Sequence, residues 1–97
     1  MKQTNNDLQN LFNAIENNDI VAVKKSIENG VDINVRDTWT LAALHYACKN
    51  DCPEIVDLLI KAGANINAED NFNKTAFDYA KENNNQEIID LLENYKN

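Results

Sequence analysis

The only histidine, His45, stands three residues before Cys48 and seven before Cys52, the only two cysteines. On a helix that spacing places an imidazole and two thiols along one face, the arrangement of a soft metal site. A closed site needs a fourth ligand, and none is obvious, although Asp51 is adjacent. Catalysis has less material still. Carboxylates are abundant, yet no Asp or Glu pair stands out as an acid–base set. With a single histidine there is no plausible Cys–His dyad, and there is no glycine-rich phosphate loop. No enzyme activity and no cofactor are expected.

Charge and composition narrow the remaining classes. The formal net charge is −7, from 16 acidic and 9 basic residues. Such a chain repels phosphate backbones and anionic membranes, so neither nucleic acid nor a membrane is the expected partner. No apolar run approaches the ~20 residues of a bilayer span, and the opening Met1–Asp7 is polar, with no secretory h-region. Hydrophobic residues make up 43% of the 97, a globular proportion that fits one compact domain. Two cysteines at helical positions read as free thiols in a reducing, intracellular and cytoplasmic setting.

The elements that must position these residues follow from a period. Gly30 and Gly63, the only glycines, are 33 residues apart, and Gly-Val-Asp-Ile-Asn-Val-Arg-Asp after the first returns as Gly-Ala-Asn-Ile-Asn-Ala-Glu-Asp after the second. Shifted by 33, Ala14, Ala47 and Ala80 form one column, Val23, Val56 and Ile89 another, and Asn17, Asn50 and Asn83 a third. Asp37 aligns with Asp70, and Tyr46 with Tyr79. A gapless period of this length denotes a stack of repeats.

Each unit reads as two short helices. In the middle unit they cover about 42–49 and 53–61, with Leu44, Ala47 and Cys48 at i, i+3, i+4. Pro53 suits the first turn of the second helix, and Gly63 ends it in a left-handed residue. The first unit begins as a helix near Asp7 and has a second helix from Ile20 to Glu28. The Asn- and Asp-rich stretch after Gly63 suits an extended, hairpin-like loop.

Leu44-His45-Tyr46-Ala47, Glu54-Ile55-Val56-Asp57-Leu58-Leu59 and Gly63-Ala64-Asn65-Ile66-Asn67-Ala68 together resemble the ankyrin repeat family over about residues 7–95. The resemblance implies an all-α solenoid, a single domain of three helix-turn-helix units (about 7–36, 37–69 and 70–97) joined by hairpin-like loops. The first and last units act as caps: Lys25 and Ser26 replace Leu58 and Leu59, and Glu93 replaces Ile60, leaving soluble outer faces. The 97 residues therefore read as a complete three-repeat stack.

The same resemblance makes His45 the structural histidine of a helix start, puts Cys48 in a small buried alanine column and Cys52 in the turn before Pro53, so no metal is expected. Ala42 replaces the family's capping Thr, with Thr40 the alternative cap, while Thr75 and Asp78 resemble a capping box. Tyr46 and Tyr79 are expected to pack between adjacent first helices.

A partner protein is the ligand the resemblance implies, bound across the hairpin tips and the concave face of the first helices. In the middle unit those positions are Thr38, Trp39, Leu41, Lys49 and Asn50. In the third they are Asn71, Phe72, Lys74, Glu82 and Asn83, and in the first only Glu16 and Asn17. Trp39 and Phe72, 33 apart, should occupy neighbouring tips. The expected function is a monomeric protein–protein interaction module; the alternative is a self-associating or scaffold subunit.

Overall fold

The structure is a computed structural model that describes residues 5–95. Six helices account for its regular structure: α1 (Asn5–Glu16), α2 (Ile20–Glu28), α3 (Ala43–Lys49), α4 (Pro53–Lys61), α5 (Ala76–Glu82) and α6 (Gln86–Tyr95). No strand occurs among the described residues.

One device ends each of the first five helices. Asn18, Gly30, Asp51, Gly63 and Asn84 follow the last turns of α1 to α5 with φ between 55° and 101°. In each case that residue's N–H bonds a carbonyl three residues back and the next N–H one five back, as in Gly63→Ile60 (3.0 Å) and Ala64→Leu59 (2.9 Å). This is the Schellman closure, which satisfies carbonyls the helix leaves open. Gly serves where a long loop follows; Asn and Asp serve the short turns, since their side chains tolerate the left-handed region. The next helix starts at once. Asp19 caps α2 by accepting from Ala22 N–H (3.1 Å), Asn85 caps α6 by accepting from Ile88 N–H (3.0 Å), and α4 uses Pro53 instead.

Short links force each pair of helices to lie antiparallel, and the pairs stack. Helices α1, α3 and α5 form one layer and α2, α4 and α6 the other. Leu11, Ile15, Ile55, Leu59, Ile88 and Leu92 are fully buried between them, with the alanine column 14, 47 and 80 allowing close approach. Cys48 is buried as expected, but one residue beyond that column, in register with Ile15 and Lys81. At the ends Lys25 and Glu93 are exposed, whereas Ser26 is buried and so belongs to the interior, not to an outer face. No helix among the described residues is long and apolar enough to cross a membrane.

Candidate functional site

Each tip is built on one aspartate. Asp37 Oδ1 accepts the N–H of Trp39 (2.9 Å) and of Leu41 (2.9 Å); Asp70 Oδ1 accepts those of Phe72 (2.8 Å) and Lys74 (3.0 Å). The backbone closes the same loop, Asp37 N–H to Leu41 O (2.9 Å) and Asp70 N–H to Lys74 O (3.0 Å). The second carboxylate oxygen looks down to the first-helix layer, where it accepts the hydroxyl of Tyr46 in one unit and of Tyr79 in the other. The tyrosines therefore do more than pack between first helices: each ties a tip to the helix beneath it. The Asp–Tyr interval of nine residues recurs at 37/46 and 70/79, a signal present in the sequence.

The electrostatics match this arrangement. Burial, and then the hydrogen bond to Asp37, push the Tyr46 hydroxyl up to about 12. Burial and Asp70 push Tyr79 up as well. At Asp70 burial acts upward, but the Tyr79 hydroxyl and the N–H groups of Lys74 and Phe72 prevail and hold the carboxyl below its ordinary value.

Two links fix the spacing of the loops. The Asn34 side chain donates to Gly63 O (3.1 Å) and accepts from Asn65 N–H (2.8 Å), and the Arg36 guanidinium donates to Glu69 O.

On this frame Trp39 is 67% and Phe72 74% exposed, so both rings point away from their own loops. Thr38, Asn71 and Asn50 are also exposed. Leu41 is not. At 6% exposure it is a core residue, because the Asp37 bond to its N–H turns the chain back and drives its side chain under the tip. Leu41 is therefore not part of the exposed tip surface that the sequence reading assigned it to. Lys49 is exposed and lies 5.7 Å and 5.6 Å from the ring centres of Tyr46 and Tyr79, a cation–π position between units. Lys74 is half-buried, over the Tyr79 ring (5.3 Å) and paired with Glu82. Asn83 donates to Cys48 O (3.2 Å) and Lys49 O (2.8 Å), closing the end of α3 from the next unit. Its side chain is thus engaged in stacking. Glu16 and Asn17 are exposed at the end of α1.

The histidine and cysteines take other parts. Ala42 N–H donates to His45 Nδ1 (2.9 Å), so the ring proton is on Nε2, which donates to Ala68 O (3.0 Å). Both nitrogens are used within the fold. Burial pushes the Cys48 thiol up to about 12 and raises Cys52, disfavouring the thiolate that metal or nucleophilic chemistry needs. No group of three His, Cys, Asp or Glu among the described residues is placed to hold a metal ion. Thr40 does not cap α3 either: the N-cap is Ala42, without a side-chain bond, and Thr40 instead takes φ 63° with its hydroxyl on Trp39 O. Thr75 and Asp78 do form the expected capping box, with Thr75 N–H to Asp78 Oδ2 at 2.9 Å and Asp78 N–H to Thr75 Oγ1 at 3.3 Å.

Compared with known proteins, the chain matches the family model of ankyrin repeats, in three copies, over residues 11–97. It has no significant match among curated proteins.

Proposed function

The chain belongs to the ankyrin repeat family, whose repeats are in general protein–protein interaction modules, and we propose that it binds a partner protein through its two tips and the first-helix face below them. The observation that carries this reading is the pair of exposed rings, Trp39 and Phe72, on loops whose backbone is tied back to Asp37 and Asp70. A large apolar side chain held out on a rigid support is unfavourable until something covers it, and Trp is enriched in binding hot spots. Because the tips are braced by Asp37, Asp70, Tyr46 and Tyr79, little ordering cost remains at association. Thr38, Asn71, Lys49, Asn50, Lys74 and Glu82 form the polar surround. An interface of standard size would cover about 800 Å² on this side.

The location read from the sequence, intracellular and cytoplasmic, remains part of this proposal and accords with two free, buried thiols. Trp39→Ala is expected to weaken the partner by about 2 kcal/mol while leaving the melting temperature nearly unchanged. Affinity capture from the source organism, with a Trp39/Phe72 double variant as control, supplies the partner for that titration. Loss of stability with unchanged binding would make Trp39 a packing residue. The same rings also suit self-association, and mass measurement in dilute solution separates the two: a concentration-dependent dimer lost in the double variant favours the self-associating subunit.

A further inference from the structure

The first unit departs from the second at one position, where a hydrogen-bond donor of the second unit has no counterpart. Shifted by 33 residues, Phe12 falls on His45, Tyr46 on Tyr79, and Val35 on Ala68. The ring pairs have nearly the same geometry: Phe12–Tyr46 at 5.3 Å and 71°, His45–Tyr79 at 5.7 Å and 71°. Phe12 therefore occupies the histidine's place without its chemistry. His45 donates to Ala68 O, whereas a phenyl ring donates nothing, and Val35 O receives no hydrogen bond from the described residues.

The surroundings differ in the same sense. Leu41 is buried under its own tip, but its counterpart Leu8 is only half-buried. Leu8, Phe12 and Val35 instead line a groove of about 470 Å³, with Arg36 and Thr38 among its walls. Thr38 adjoins Trp39, so the groove continues into the tip surface. Arg36 is exposed, and its guanidinium bonds a carbonyl; no carboxylate lies within ion-pair distance among the described residues. Asp37 also lines the groove, but its oxygens are taken by two tip N–H groups and Tyr46.

We propose that this groove receives an extended segment of the partner protein, an apolar side chain resting on Leu8, Phe12 and Val35 while an adjacent backbone N–H meets Val35 O and a nearby carboxylate meets Arg36. Each part of the occupant answers something present: an apolar floor, an acceptor that the next unit satisfies with an imidazole, and a cation without a carboxylate. The proposal rests on the reading of the Trp39 and Phe72 tips as a partner surface, and adds to it the part that selects sequence.

Random peptides displayed on phage, selected on the full chain and then titrated by fluorescence anisotropy, test it. Enriched peptides should share an apolar residue within two positions of Asp or Glu. Phe12→His, which supplies the donor Val35 O lacks and removes part of the apolar floor, should weaken them about tenfold. Arg36→Gln should weaken them about fivefold, with the difference shrinking at about 0.5 M salt. Thermal melting checks that Phe12→His folds; if it does not, the exposed Arg36→Gln carries the test. Peptides sensitive to Trp39→Ala but indifferent to Phe12→His and Arg36→Gln overturn the groove and leave the tips standing. Peptides indifferent to all of these overturn both, and absence of enrichment overturns the groove.

Discussion

The tip at Asp37 and the tip at Asp70 share one hydrogen-bond plan but are secured differently below it. The third unit has local reinforcement: Asn73 at the left-handed position (φ 63°), and the Thr75–Asp78 capping box at the start of α5. The second unit has Thr40 at the same φ, a branched residue in a region that penalises it, and Ala42 at the cap, with His45 supplying only the reciprocal bond to the Ala42 N–H. What the second unit lacks locally it gains from packing. Leu41, Ala42, Ala43, Leu44 and His45 are all buried, and His45 bonds across to Ala68 of the following loop. Two sequences thus reach one backbone shape, one through local hydrogen bonds and one through contacts with neighbours.

The aspartates give the largest test of that contrast. Asp70 is 5% exposed and Asp37 is half-buried. Removing either strands two N–H groups and a tyrosine hydroxyl, and unmet partners cost more where water reaches them less. Asp70→Ala is expected to cost about 3 kcal/mol and Asp37→Ala about 2 kcal/mol, read from urea denaturation. Equal losses would break the distinction. The same bonds should appear in pH titration. Asp70 is held below its ordinary value, so its contribution is present above about pH 4 and declines as acid protonates the folded carboxyl. Tyr46 is raised to about 12, so its contribution is complete below about pH 10 and is lost as pH rises toward 12. Tyr46→Phe should blunt the alkaline loss of stability; an unchanged alkaline limb would show that the hydroxyl bond contributes nothing.

The caps come next. Thr75→Ala is expected to cost about 1 kcal/mol, and Ala42→Thr to return a gain of up to about 1 kcal/mol, reduced if the buried site resists the extra atoms. Equal and opposite shifts in denaturation midpoint would show the two helix starts to be interchangeable. The smallest effect is at the turn. Thr40→Asn, which copies the third unit, should stabilise by about 0.5 kcal/mol by easing the left-handed residue. A loss instead would mean that the Thr40 hydroxyl on Trp39 O matters more than its backbone strain.

Much of the fold was legible because its signals are local. Pro53, Gly30 and Gly63 mark helix boundaries at the residues where the structure has them, and Thr75–Asp78 reads as a cap in both. The candidate surface was legible only in part. Trp39 and Leu41 sit two residues apart in one loop, and the sequence reading places both on the partner surface; the fold turns one out and the other in. Asn83 reads as a surface amide, yet it bonds the carbonyls of the previous unit. Tyr46 reads as packing because its nine-residue interval to Asp37 fits no helical or strand period; only its recurrence at Asp70 and Tyr79 marks it.

By itself, then, the sequence determined the period, the two-helix plan of each unit and the helix ends marked by Pro53, Gly30 and Gly63, since those depend on backbone preferences of single residues and on a pattern that repeats along the chain. Only the tertiary structure decided which loop side chains are covered, which carbonyls the next unit satisfies, and that Phe12 stands where a donor stands one unit later. The direction of a side chain in an irregular loop is set by what packs beneath it, and that surface is assembled from residues about 33 positions away.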